Sequence, residues 1–300
     1  MDPPIVPTPT AQRGTVCAVV VSHDRAPLLA ECLEALLAQE RAVDEIVVVD
    51  NASSDGSAGM VAERFPAVTL IGLQENVGGA GGFYAGMSAA FQRGHEWLWL
   101  MDDDTIATPS ALAELLRPLD GLPAPLVLAS KVVWRDASLH PKNMPNPRIT
   151  GAYTETFVDA AERGLILIRN ASFVSILIHR TAIERHGLPH RHYFIWGDDY
   201  EYTGRLLRDA PGYLVPTSLV HHKTAAKESV HVHGSGRYYY EVRNKLFMLR
   251  GDSFTGREKV FIVVALLMGI QQYLSAERLR PSAWRVLVRA LRDGLVQPAV

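Results

Sequence analysis

The chain has 300 residues, 48% of them hydrophobic, and its 30 Lys and Arg nearly balance 32 Asp and Glu for a net charge of −2. That length supports one large core or two smaller ones, and the charge balance removes any global electrostatic case for a nucleic-acid partner. Only Cys17 and Cys32 occur, each inside an apolar pattern, so two buried reduced thiols and a cytosolic setting are expected instead of a disulfide framework.

The first 14 residues are rich in Pro and Thr and lack an apolar h-region, so they read as a disordered lead-in and not as a signal peptide. Residues 15–22 (TVCAVVVS) are a continuous β-branched run, as expected of a strand covered on both faces. A helix follows, with Pro27 in its first turn and Leu28, Leu29, Cys32, Leu33, Leu36 and Leu37 on one side. Residues 45–50 (EIVVVD) predict a second strand, and the polar run 51–57 predicts a cap for a helix bearing Met60, Val61 and Phe65. Strand, helix and strand are then expected over 68–73, 78–93 and 97–101, and Thr108-Pro109 opens another helix with Leu112, Leu115, Leu116 and Leu119. This alternation is that of a Rossmann-like, doubly wound, mostly parallel α/β sheet. Three strands end in polar groups: Ser22-His23-Asp24-Arg25, Asp50-Asn51 and Asp102-Asp103-Asp104. Open α/β sheets bind ligands beyond the carboxyl ends of their strands, which points to a nucleotide site on that rim.

Beyond residue 126 the pattern loosens. A strand is expected over 126–134, a proline-rich loop over 141–147, and two paired strands over 164–168 and 172–179. A short helix over 181–186, a charged helix over 198–208 and a strand over 213–220 ending at His221-His222 complete this half. The chain then reads as a helical C-terminal extension. Its longest apolar run, 260–274, is shorter than the ~20 residues of a spanning helix and is interrupted by Gln271 and Gln272, so a buried or interfacial helix is expected. Over 278–295, Arg285, Arg289 and Arg292 share one helical face, and Trp284, Leu287, Val288, Leu291 and Leu295 the other. Such a basic amphipathic helix suits either an anionic membrane surface or packing on the domain. The organisation expected is a lead-in (1–14), a nucleotide-binding half (15–125), an acceptor-binding and catalytic half of the same domain (126–230), and a helical region (231–300) offering peripheral membrane contact through 260–295.

Three adjacent carboxylates at a strand end repel one another and call for a cation. Hard oxygen ligands suit Mn²⁺ or Mg²⁺, especially beside substrate phosphates. Alternate residues of extended backbone share a face, so Asp102 and Asp104 suit one ion while Asp103 points elsewhere. A solvated acidic loop is the competing reading. The Gly78–Gly82 segment lacks a lysine where a P-loop requires one, since Met87 stands there. Its glycines, Gly79 among them, let the backbone pass close to a ligand or the sheet. Asp198 and Asp199 open a helix, where capping competes with a general-base role. A His at a strand end, as in His221-His222, can complete a mixed O/N metal shell; His231 and His233 are alternatives.

With these residues laid out, the sequence resembles the family 2 inverting glycosyltransferases of GT-A fold. The resemblance rests on VVVSHDR, VVDNASSDGS, ENVGGAGG, WLWLMDDDT and FIWGDDYEYTGRL, in the family's order over about residues 15–222. Within the family the motifs look most like bacterial galactofuranosyltransferases, with rhamnosyltransferases of cell-wall assembly next. The resemblance implies donor contacts by Arg25, Asp50, Asn76, Gly79, Asp102 and Asp103, with Asp50 on the nucleobase. It implies a divalent ion, Mn²⁺ or Mg²⁺, on Asp102, Asp104 and His222, and Asp199 as base supported by Asp198. The implied donor is UDP-galactofuranose, then dTDP-rhamnose. The implied acceptor is a glycan or polyprenyl-diphosphate-linked hydroxyl at the inner face of the plasma membrane. His23-Asp24-Arg25 departs from the family's usual Tyr-Asn-Arg. Two other classes stay open: a nucleotidyltransferase acting on a sugar phosphate, though residues 22–27 lack its glycines, and a sugar-nucleotide-binding protein without catalysis.

Overall fold

β-Branched runs favour extended backbone because their side chains pack well on a pleated surface, and they build the centre of this molecule. The computed structural model describes residues 14–122, 125–148, 151–225 and 236–298. The lead-in up to residue 13, His231 and His233 lie outside the described residues. In the first half β1 (Val16–Ser22), α1 (Ala26–Leu37), β2 (Glu45–Asp50), α2 (Ser57–Arg64), β3 (Thr69–Gly72), α3 (Gly78–Gln92) and β4 (Trp97–Asp102) alternate as expected. β1 is parallel to β2 and β4, and β2 to β3. The cap of α2 falls within the polar run 51–57. Its N-cap is Gly56 in left-handed backbone, and Asp55, one residue earlier, accepts the Ser57 N–H at 3.0 Å.

The second half contains β5 (Thr105–Ala107), α4 (Ala111–Leu116), β6 (Val127–Val133), β7 (Asn146–Pro147), α5 (Thr154–Glu162), β8 (Ile166–Asn170), β9 (Ile176–His179), α6 (Arg180–His186), α7 (Asp198–Leu206) and β10 (Gly212–His222). One sheet runs through both halves in the order β3-β2-β1-β4-β9-β6-β10-β8-β7, with β5 on β10. β9 is antiparallel to both β4 and β6, so β6 continues the direction of β4, and β10 is parallel to β6. The longest ladders are therefore parallel, and reversed strands are inserted between them. The expected pairing of the segments around 166 and 176 is not formed. β8 lies against β10 and β7, while β9 fills the gap between β4 and β6. Ser175 explains the separation: its backbone is left-handed, with φ 68°, and its hydroxyl lies 2.9 Å from the Trp99 indole nitrogen and 2.7 Å from the Ser130 hydroxyl. These contacts tie the start of β9 to the two central strands.

One apolar layer packs α1, α2 and α4 on one face of the sheet, and a second packs α3, α6 and α7 on the other. Cys17 and Cys32 are buried and free within these layers, and burial pushes the Cys17 thiol up to about 12. Three helices, α8 (Tyr238–Arg250), α9 (Gly256–Ala276) and α10 (Pro281–Val296), form the C-terminal region. α9 opens with a capping box between Thr255 and Glu258. It is not a buried helix. Only Ile262, Leu266 and Tyr273 are buried along it, whereas Phe261 is 75% exposed and Val260, Leu267 and Met268 are also exposed. At 21 residues it is long and apolar enough to cross a bilayer by length and composition alone. On α10 the expected apolar face is divided: Leu287 is buried, while Trp284, Val288 and Leu295 face outward.

α3 approaches the sheet through glycine. A Cβ on Gly86 would press into methyl groups of Val19 and Val49, whereas one on Gly59 of α2 would meet nothing within 4 Å. Overpacking costs about 1–3 kcal/mol, and Gly→Ala in an open helical position gains about 0.5–1 kcal/mol. Thermal melts should therefore show Gly86→Ala lowering the midpoint and Gly59→Ala raising it slightly.

Candidate active site

The rim at the carboxyl ends of β1, β2 and β4 collects the expected polar groups, and the reason is local. After β4 the chain turns at Asp103-Asp104 and returns as β5, which pairs antiparallel with the end of β10 in the register His222↔Thr105 and His221↔Ile106. The Lys223 N–H donates to the Asp104 carbonyl at 2.8 Å. This short ladder brings residue 222 to the aspartates across more than a hundred positions of sequence. Ligand atoms of Asp102, Asp104 and His222 all lie within 4.8 Å of one another. His222 Nε2 is 2.9 Å from Asp104 Oδ1 and 4.0 Å from Asp102 Oδ2. His221, next along the strand, does not join this group.

Two details fit a divalent ion to this cluster. Asp104 Oδ1 is buried and accepts no aligned hydrogen bond, leaving a lone pair that an unpaired buried acceptor does not keep without cost. His222 Nδ1 lies 2.9 Å from Asn143 Oδ1; Nδ1 is the donor there, so Nε2 is the nitrogen that faces the carboxylates and would offer its lone pair to a bound ion. A metal-bound His is ordinarily oriented in this way through its other nitrogen. Two carboxylates and one imidazole are a hard O/N donor set of the kind that suits Mn²⁺ or Mg²⁺.

Without the ion, like charge is visible in the acidities. Burial, then Asp104, pushes the Asp102 carboxyl up to about 7. Burial likewise carries Asp103 up to about 6, against the pull of Arg25. For Asp104 burial acts upward too, but His222 and Arg25 outweigh it and hold the carboxyl below its ordinary value. Asp103 is set apart from the cluster: it accepts the His23 N–H at 3.3 Å and lies 3.4 Å from Arg25 Nη1. Arg25 itself, half exposed, pairs with Asp104, so it sits at the triplet.

Asp50 is buried, with Oδ2 taking the Ser53 N–H at 3.3 Å and Oδ1 without a partner. An acceptor so placed suits an N–H of a ligand. The neighbouring Asn51, whose signal was only its place after Asp50, ties the glycine segment down. Its Oδ1 accepts the Val77 N–H at 2.9 Å, and its amide donates to Gly78 O and Asn76 Oδ1. Asn76 also accepts the Gly78 N–H at 2.8 Å, so its carbonyl oxygen serves the turn. Gly79 faces open space.

Opposite the triplet, Asp198 and Asp199 open α7. Asp198 is buried, and its carboxyl is raised by burial, then by Asp199, with Asp102 also close enough to add to the effect. Asp199 is less enclosed. Burial carries it up to about 6, opposed by the backbone N–H groups of Tyr200 and Phe173. The third acid of that turn, Glu201, is spent on structure, bonded to Arg205 and Ser253. Sequence reading missed Asn143, which lay in an apparent proline loop, because a lone asparagine in a loop carries no periodic signal.

The sheet and the acidic rim define an α/β protein of GT-A type. The family model Glycosyl transferase family 2 matches residues 17–187, and the chain belongs to that family. Galactofuranosyltransferase GlfT1 of Mycolicibacterium smegmatis is 33% identical over 212 residues, 64% of this chain and 65% of that protein. Its namesake from Mycobacterium tuberculosis is 32% identical over 213 residues. The chain thus matches just under two thirds of the length of these relatives. Among solved structures, S. aureus TarS 1-349 in complex with UDP-GlcNAc aligns with a TM-score of 0.64 at 15% identity, over 94% of this chain and 80% of that one. The mannosyltransferase PcManGT from Pyrobaculum calidifontis, in complex with GDP-Man and Mn²⁺, aligns at 0.56 with 21% identity, over 98% and 84%.

The geometry separates the two adjacent histidines. Losing a ligand or its support typically costs 10–100-fold in metal affinity. Calorimetric titration of Mn²⁺ in the presence of UDP should show a loss of about that size for His222→Ala and for Asp104→Ala, and no change for His221→Ala.

Proposed function

We propose that this protein is a metal-dependent inverting glycosyltransferase that moves galactofuranose from UDP to a hydroxyl of a glycan or polyprenyl-diphosphate-linked acceptor, with dTDP-rhamnose the next donor to consider. The observation that carries the reading is the convergence of Asp102, Asp104 and His222 on one side of the rim with Asp198 and Asp199 on the other. The similarity to galactofuranosyltransferases over 64–65% of the chain supports the choice of sugar.

In this reading the nucleobase lies over Asp50, whose free Oδ1 takes its N–H, and Asn76 and Gly79 line the donor's path. Arg25 and Asp103 sit beside the diphosphate and sugar. Asp102, Asp104 and His222 would hold a divalent ion, which would supply positive charge beside the leaving diphosphate. Asp199 removes the acceptor proton as that oxygen attacks the anomeric carbon from the face opposite the diphosphate. The glycosidic bond to phosphate breaks, its electrons leave with the diphosphate, and the configuration inverts. Asp198, protonated more readily in its buried position, supports the base without competing for the proton.

The outward faces of α9 and α10 support peripheral contact with the inner face of the plasma membrane. Phe261, Val264, Leu267 and Met268 on one helix and Trp284, Val288 and Leu295 on the other are exposed, and Arg285, Arg289 and Arg292 flank the second set. Apolar burial with cationic flanks is how such helices hold an anionic surface. Sedimentation with vesicles containing anionic lipid should pull down the full chain, and Phe261→Glu with Trp284→Glu should leave it in the supernatant; equal sedimentation of both would remove this contact.

The main test incubates the protein and Mn²⁺ with a panel of nucleotide sugars and scores slow donor hydrolysis, with UDP-galactofuranose expected to turn over fastest. Losing a positioned base costs about 10²–10⁴ in rate, so Asp199→Asn should cut kcat by that factor while calorimetric UDP binding is kept. The base must be ionised to act. With its carboxyl at about 6, kcat should fall as pH drops through 6, a limb absent from the residual rate of Asp199→Asn.

A further inference from the structure

The segment that carries the proposed base is held in an unfavourable shape. Phe194 has φ 66° and ψ −70°, and the Ile195 N–H donates back to Tyr193 O at 2.8 Å. This is the rarer, strained hand of γ-turn. Trp196 and Gly197 follow at φ 65° and 82°, so three of the four residues before Asp198 are left-handed. Non-glycine residues in such regions cost of order 1–3 kcal/mol each and persist only where their surroundings over-determine them.

The surroundings that do so belong to α8, in the C-terminal region. Asn244 is 1% exposed, and its Nδ2 donates to the carbonyls of Tyr193, Ile195 and Trp196 at 3.0, 2.9 and 2.7 Å. Two N–H bonds thus serve three carbonyls of one short loop. The amide's orientation is set by Arg243, whose Nε and Nη2 donate to Asn244 Oδ1 at 3.0 and 2.9 Å. Arg243 Nη2 also donates to His192 O and Tyr193 O, both at 2.8 Å. Its guanidinium lies within 5.2 Å of the ring centres of Tyr239, Tyr240 and Phe247, which hold it in place by cation–π attraction. Gly197 passes so close to α8 that a Cβ would meet the Met248 methyl at 2.5 Å. From the other side the Ala80 N–H of α3 donates to Phe194 O at 3.1 Å.

We propose that Asn244, oriented by Arg243, is a positioning residue that clamps the 193–197 loop and so sets the place of Asp199. The C-terminal helices are on this view part of the catalytic unit and not only a membrane-facing extension. The proposal rests on the reading of Asp199 as the base. A loop freed of its clamp relaxes toward ordinary backbone, and a misplacement of about 1 Å at a reacting group can cost about 10²-fold.

The test uses the full chain with Asn244→Leu, which keeps most of the volume and none of the donors. Three measurements are made: amide hydrogen exchange over 193–199, kcat and KM for UDP-galactofuranose with Mn²⁺, and calorimetric UDP binding. Expected are faster exchange in the loop, kcat lower by about 10²-fold and donor KM and UDP binding within twofold of the parent. Asn244→Leu placed in Asp199→Asn should produce no further loss, because the group it positions is already gone. Unchanged exchange in the loop overturns the clamp. Losses that multiply in the double variant, or UDP binding lost with kcat, also overturn it, since they mark general damage. Retained turnover in Asp199→Asn overturns instead the base assignment, whatever the exchange shows. If Asn244→Leu does not fold, Gly197→Ala, which pushes the same loop off α8, must give the same pattern of lower kcat with UDP binding kept.

Discussion

Three neighbouring carboxylates at the end of a buried strand repel one another, and the rest of the rim is arranged around that repulsion. Arg25 from the loop after β1 reaches Asp103 and Asp104, and His222 stands against Asp104 and Asp102. Even so, burial leaves Asp102 near 7 and Asp103 near 6. A group of adjacent acids, with Asp103 and Asp104 buried and Asp102 partly open to solvent, is poor as a stabilising element and well suited to a cation that arrives with a diphosphate. The same charge explains why a cationic loop, a histidine strand and a reversed strand all end within a few ångströms of one turn.

The reversed strand β5 is only three residues long, yet it has the largest consequence for the site. It turns the chain back after the triplet and pairs with the last residues of β10. Because side chains alternate along a strand, this register presents His222 to the aspartates and sends His221 away. A shift of one residue would exchange the two. Asn143 then fixes which nitrogen of His222 faces the carboxylates, so a residue with no charge helps to set the donor atoms of this group.

The second acidic pair faces the first from α7, and its loop is held by a different part of the chain. α8 supplies the bonds under the loop that leads into Asp198 and Asp199. The three C-terminal helices therefore have two faces with different tasks. One holds the 193–197 loop, and the other leaves Phe261 and Trp284 exposed beside a row of arginines.

Much of this was legible in the order of residues. The β-branched runs ending in SHDR, DN and DDD predicted both the alternating first half and the rim, because a buried parallel strand must be continuously apolar and its polar end must lie outside the sheet. The Gly-rich segment and the Asp198-Asp199 pair were recognisable for the same reason, as local patterns. What sequence order does not carry is pairing between distant segments. The strands around 166 and 176 look like partners and are not, since β9 was drawn into the gap between β4 and β6 by Ser175 and its contacts with Trp99 and Ser130. Likewise the apolar 260–274 run reads as either buried or interfacial, and the choice came only from packing, since just one side of α9 finds a partner. Asn143 and Asn244 have no local signature at all, because a hydrogen-bonding amide gains its meaning from the group it meets. The family resemblance already implied that His222 joins Asp102 and Asp104, but only the β5–β10 register brings it there and sends His221 away; tertiary structure alone decided that α8 holds the 193–197 loop, since that depends on contacts across about fifty residues of chain.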